Sequence, residues 1–228
     1  MNAPIPVELI PSGSSGITTI LVIAASLSFL LLFITSYVKI AVTFGLLRSA
    51  AGLNQTPPNM VLTGIAIILS TFIMFPVFQK CYEAGKNDFA GFADTKKDPS
   101  VRAQSLVSFV NNSSKPLKEF LNKHAHPGEK RAFSEISGKL SKAKPYAQDS
   151  FIVLIPAFLI SELSEAFQIG FLLFLPFLII DILVANILMA LGMHMLNPTT
   201  VSLPFKLLLF VSIDGFSLIS RALILSYT

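Results

Sequence analysis

From Phe151 to Thr228 the chain is apolar enough to seek a bilayer, yet it carries Glu162, Glu165, Asp181, Lys206, Asp214 and Arg221 in that stretch. A carboxylate at the centre of an isolated membrane helix costs about 2.5–3.5 kcal/mol on insertion scales, and each Leu, Ile, Phe or Val returns only about 0.3–0.6. Such helices can insert, but their ionisable groups need partners on neighbouring helices or subunits. At about 100° per residue, Lys206, Asp214 and Arg221 share a sector of roughly 80° on a last helix, with alternating sign. That stripe suits a facing helix bearing carboxylates, for which Glu162, Glu165 and Asp181 are the candidates. Buried pairing is the favoured reading for Asp181 and Lys206. For Glu162, Glu165 and Arg221 a snorkelling or helix-end position is an equal reading. A proton relay would use the same residues as a structural ion pair.

The rest of the sequence fits a membrane protein. It is 53% hydrophobic and 13% charged, with a mean hydropathy of +0.69, beyond the range of ordinary soluble domains. At roughly 20 apolar residues per crossing, the length allows about three or four membrane helices and one polar insert. The expected fold is all-α: membrane-associated hairpins, with an N-terminal apolar hairpin over 1–79, a polar extracytoplasmic helical insert over 80–149, and a C-terminal apolar hairpin with a Met-rich loop over 150–228.

Along the chain, Ile17 to Val38 reads as the first apolar helix. No basic residue precedes it, so it does not resemble a cleavable signal and is expected to belong to the mature protein. Thr56 is a candidate N-cap with Pro57 at the first helical position, and a second helix is expected over Met60 to Gln79. The insert shows amphipathic repeats such as Leu106/Phe109/Val110 and Leu117/Phe120/Leu121. Asp98-Pro99 reads as a cap and first turn, and His126-Pro127-Gly128 as a turn. An uninterrupted helix over the 31 residues Ala166 to Leu196 would be roughly 46 Å long, against a hydrocarbon core of about 30 Å. It must tilt, kink at Pro176, or lie partly outside lipid. Leu196-Asn197-Pro198-Thr199-Thr200 is expected to break it, and Ser202-Leu203-Pro204 to open a last helix from about Phe205.

Charge placement narrows the function. Lys80 to Lys144 hold 13 of the 17 basic residues, and 8 acidic residues lie between 80 and 149. This is a solvated surface, not a polyanion groove, and no nucleic-acid partner is expected. A loop of that length escapes the positive-inside rule, so Lys39 and Arg48 set the orientation: first loop cytoplasmic, insert on the far side. The lone Cys81 offers neither a disulfide nor a metal site. No cofactor is implied. No His-Glu-x-x-His, Gly-x-Ser-x-Gly or paired catalytic aspartates occur, so no enzyme is expected. A small oligomeric ion or proton transporter using Asp181 or Glu162 as carrier is the alternative to an assembly subunit.

Met189, Met193 and Met195 surround the break before Pro198, with His194 between two of them. Core packing is the default for Met at helical spacing, although flexible thioethers also suit a seal around something that moves. By default His194 is a solvated or satisfied loop histidine.

Several strings are more specific. Phe44-Gly45-Leu46-Leu47-Arg48, Gln55-Thr56-Pro57-Pro58-Asn59, Ala166-Phe167-Gln168-Ile169-Gly170-Phe171, Leu175-Pro176-Phe177-Leu178-Ile179-Ile180-Asp181, Met189-Ala190-Leu191-Gly192-Met193 and Ser202-Leu203-Pro204-Phe205-Lys206-Leu207 closely resemble the FliP/SctR family. These are inner-membrane components of the type III secretion export apparatus, injectisome or flagellar. The similarity spans nearly the whole chain and matches the 80–149 insert only loosely. It implies a pentameric ring that assembles with S-type, T-type and U-type export proteins and passes unfolded substrates through its centre. It implies hairpins lifted largely above the bilayer plane on the periplasmic side. It also implies a methionine gasket, here Met189, Met193 and Met195 with His194 interrupting the run, so that the seal would be more polar and pH-sensitive. An inter-subunit ion pair is carried onto Glu162 and Lys206. The unrecognised signal sequence favours the injectisome branch.

Overall fold

The computed structural model describes residues 32–53, 57–93, 98–141 and 144–228, so Thr56 and most of the Ile17–Val38 segment lie outside the described residues. Seven helices follow one another there: α1 Tyr37–Ala50, α2 Asn59–Ala93, α3 Pro99–His124, α4 Pro127–Ser141, α5 Phe151–Ala190, α6 Pro198–Ser212 and α7 Gly215–Leu225. No strand occurs among the described residues, and the fold is all-α.

α2 does not stop where its apolar texture does. It runs for 35 residues through Gln79 and Lys80 to Ala93, roughly 52 Å. The expected end at Gln79 was a change of solvent, not of backbone. Beyond it α2 is carried by antiparallel packing on α3: Phe89 and Phe109 rings stand 5.6 Å apart, and Asn112 Nδ2 donates to Asp88 Oδ2 at 2.8 Å. Asp98 precedes α3, with Pro99 in the first turn as expected, but its side chain makes no capping bond. The turn at Ala125 and His126 leads into α4.

α5 is 40 residues long and contains Pro156 and Pro176. At roughly 60 Å it exceeds a bilayer core by far more than the expected 31-residue helix did. α5 lies against α1, where a Cβ on Gly170 would meet the Leu46 side chain, so the backbones approach more closely than any larger residue allows.

The last apolar segment departs from the single helix read from its spacing. α6 starts at Pro198, not near Phe205, because Asn197 caps it: its side chain accepts the Thr199 N–H at 3.0 Å, and Pro198 occupies a first-turn position that needs no donor. The helix then breaks at Asp214, whose φ of 50° is left-handed, and α6 and α7 meet with a bend of 58°. Asp is one of the few residues that visits this conformation readily. The common stripe of Lys206, Asp214 and Arg221 therefore does not form, since the 100° count assumed an unbroken helix.

Two apolar cores hold these helices. One joins α1, α2, α5, α6 and α7 through Ile40, Phe44, Leu62, Phe177, Phe210 and Leu223. The other joins α2, α3, α5 and the segment after α7 through Met74, Leu121, Leu154, Phe158 and Tyr227. Among the described residues α2 and α5 are long and apolar enough to cross a membrane, and the bent α6–α7 pair passes the same test jointly.

Candidate functional site

Three features stand out once the helices are assembled: two buried clusters of ionisable groups and one exposed hairpin tip. The first cluster ties α5 to α6. Lys206 Nζ lies 2.6 Å from Asp181 Oδ2, and Ser202, one turn earlier on α6, donates to Asp181 Oδ1 at 2.5 Å. Lys206 and Ser202 are buried. The ammonium is roofed by the α1–α2 turn, where Gly52 has φ of 73° and a Cβ would sit 3.9 Å from Nζ. Asp181 thus spends both oxygens on neighbours eliminating the insertion penalty's cause, an unpaired charge.

The second cluster gathers α1, α5 and the C-terminal segment. Lys39, 1% exposed, reaches Glu165 Oε2 at 2.5 Å and stands 4.6 Å from the centroid of the Tyr227 ring. That places a cation over the negative face of an aromatic. The Tyr227 hydroxyl donates to Glu162 Oε2. Glu162 is also 1% exposed, and its Oε1 has no hydrogen-bond partner. The His124 ring closes the cluster, 5.0 Å from Tyr227 and 4.8 Å from Phe120. Burial, then the charges of Lys123 and Lys39, push its pKa down to about 4.

The third feature is the α5–α6 tip. α5 ends in a Schellman closure: Met193 N–H bonds Leu188 O at 2.9 Å and Gly192 N–H bonds Met189 O at 3.0 Å, with Gly192 at φ of 73°. Met189 belongs to the last helical turn and Met193, His194 and Met195 follow the reversal, and all four are exposed; Met195 is 98% exposed and Leu191 66%.

The sequence candidates thus separate. Lys206 and Asp181 come together, Glu162 and Lys206 do not meet within the chain, and Asp214 and Arg221 are exposed. Four participants, Lys39, Tyr227, Ser202 and His124, were not recognised in the sequence. Lys39 reads as a loop charge but is buried in α1, which leaves Arg48 alone to support the positive-inside orientation. Tyr227 carries no local signal at all. Among the described residues, no group of three or more His, Cys, Asp or Glu is placed to hold a metal ion.

A bundle of membrane-length helices, pinned by ion pairs whose lysines are buried and presenting an apolar tip, defines a multi-pass helical membrane protein. The profile of the FliP family matches residues 19–223, and the chain belongs to that family. It is similar to the hypersensitivity response secretion protein HrcR of Ralstonia nicotianae, 42% identical over 89% of this chain and 92% of that protein. It is 43% identical to the Yop proteins translocation protein R of Yersinia pestis, over 85% of this chain and 87% of that one. The flagellar biosynthetic protein FliP of Buchnera aphidicola is 42% identical over 91% of this chain but only 52% of its own length.

Proposed function

We propose that this chain is a ring-forming subunit of the type III secretion export gate in the bacterial inner membrane, without catalytic activity of its own. Copies of it, with S-type, T-type and U-type export proteins, surround a path for unfolded substrates, and the 80–149 insert lies on the periplasmic side. The observation that carries this reading is the α5–α6 tip, where Leu191, Met193 and Met195 stand exposed beyond a Gly-terminated helix. A lone chain gains nothing from presenting such groups to water. In a ring, several copies of this tip would meet around the axis as a deformable plug, and thioethers suit a seal that must yield. Replacing Met193 and Met195 together with Ala should make resting membranes leak small solutes; unchanged conductance would remove the tip from the gate.

Glu162 Oε1, buried and without a partner, is the acceptor to which we assign an ion pair with Lys206 of a neighbouring copy. In the single chain Lys206 is held by Asp181, so assembly would exchange one carboxylate for another. Glu162→Lys should block assembly, and adding Lys206→Glu should partly restore it. A double variant no better than the single one would separate the two residues.

A further inference from the structure

Four of the six acidic and basic residues between Phe151 and Thr228 have partners within the chain. Asp181 holds Lys206, Glu165 holds Lys39, and Glu162 accepts from Tyr227. Asp214 and Arg221 are the other two. Both are exposed, and neither side chain meets an ion-pair or hydrogen-bond partner among the described residues. Asp214 stands at the N-cap position of α7, where a carboxylate ordinarily accepts a backbone N–H, yet it makes no such bond. One acid and one base of equal and opposite charge are thus left over on the same short helix.

Their surroundings say what can cover them. α7 buries Gly215, Ile219 and Leu223. Beside that row, Leu218, Arg221 and Leu225 follow at i, i+3 and i+7 on an exposed face, with Asp214 one turn before Leu218. Leu218 and Leu225 are more than half exposed, as are Leu208 and Val211 near the end of α6. Water would leave these apolar groups bare, and lipid tails would leave the two charges without partners. A protein surface that offers apolar contact together with one base and one acid satisfies both demands. Asp214 and Arg221 lie two helical turns apart, roughly 10 Å. A second copy of the chain carries the required groups at that spacing: its Arg221 answers Asp214, and its Asp214 answers Arg221.

We propose that this face of α7 is a contact between copies of this chain, in which Asp214 of one copy pairs with Arg221 of the next. The contact is head-to-tail, so each copy keeps one charge of the opposite sign for a further neighbour, and the series closes only as a ring or climbs as a helix. Two copies meeting antiparallel about Leu218 would satisfy both pairs at once and stop at a dimer. The choice of the serial form rests on the gate reading.

The test is cross-linking in native membranes, in a Cys81→Ser background that leaves no other thiol in the chain. Two differently tagged chains, one with Asp214→Cys and one with Arg221→Cys, are produced together and treated with a short bifunctional thiol reagent. A direct disulfide would demand Cβ atoms about 4 Å apart, closer than an Asp–Arg pair holds them. The mixed dimer should exceed either single-variant dimer about fivefold. Charge reversal reads the same pair: Asp214→Arg or Arg221→Asp alone sets like charges face to face and should lower the yield of complex about tenfold, and both together on one chain should restore most of it. A mixed dimer no stronger than the single-variant dimers, a double reversal no better than either single one, or a complex that holds only two copies would each overturn the proposal. A complex of several copies without the mixed dimer strikes the α7 contact alone, whereas a chain that purifies as a monomer strikes the gate reading with it.

Discussion

Lys206 and Asp181 form an ion pair that crosses the α5–α6 hairpin at 2.6 Å, with Lys206 almost fully buried and Asp181 28% exposed at its side chain. The asymmetry in exposure makes the two partners unequal. Losing the carboxylate strands an ammonium under the Gly52 turn, whereas losing the ammonium leaves a carboxylate that still accepts from Ser202 and reaches the surface. Removing one member of a buried pair costs about 3–5 kcal/mol, while replacing both by apolar groups can be neutral. Asp181→Leu should therefore destabilise strongly, Lys206→Met less, and the double variant less than Asp181→Leu alone. Thermal unfolding in detergent reads the order; a double variant as unstable as Asp181→Leu would mean that the pair is not what matters.

Tyr227 gives a second prediction. Tyr227→Phe keeps the ring under Lys39 but removes the only described donor to Glu162, whose other oxygen already lacks one. Stranding a buried acceptor costs about 1–3 kcal/mol. Tyr227→Ala should cost more, because it also empties a site packed against Phe120 and Phe158. Limited proteolysis across the α7 end would rank the three proteins, and equal susceptibility of wild type and Tyr227→Phe would count against a structural role for the hydroxyl.

How far the sequence discloses this arrangement depends on the range of the interaction. The all-α fold and the turn at His126 follow from composition and local punctuation, and both are present; that Asp181 and Lys206 would each need a partner was legible too, but not that Asp181, among three candidate carboxylates, is the one Lys206 meets. The Asp214 break was also written locally: Asp214-Gly215 is a turn dipeptide, overlooked because the flanking apolar residues continued a helical count. Lys39 differs in kind. It meets Glu165 across 126 positions, and nothing near Lys39 distinguishes a loop cation from a buried one; only the docking of α1 on α5 does. Tyr227 is hidden for the same reason, since its partner Glu162 is 65 positions away.

That docking can itself be tested at Gly170. A Cβ there would collide with the Leu46 side chain, both its terminal methyl and its Cβ. The methyl can rotate aside but the Cβ moves only with α1, so Gly170→Ala should cost about 1–3 kcal/mol as overpacking. Leu46→Ala removes the methyl and Cγ contacts but keeps the Cβ, so it should relieve the cost in part, still giving a favourable coupling in the double-mutant cycle. Because α1 carries Lys39, the single variant should also loosen the Lys39–Glu165 pair. Additive effects in the cycle would show that the two helices are not in close contact.

Acid should weaken the second cluster through His124. Its pKa falls from the ordinary 6.5 to about 4 in the folded protein, chiefly because burial beside Phe120 and Tyr227 disfavours the imidazolium, and next because Lys123 and Lys39 repel it. The unfolded chain therefore takes up a proton at a higher pH than the folded one. Stability from this group is complete above about pH 6.5, declines as the pH falls, and is lost once the pH passes below about 4. His124→Asn, which cannot titrate, should have a lower melting temperature at pH 7.5, from lost ring packing, but a flatter decline between pH 6.5 and 4.5. Melting curves of both proteins across that window decide the matter: parallel slopes would assign the acid sensitivity to the carboxylates instead of His124.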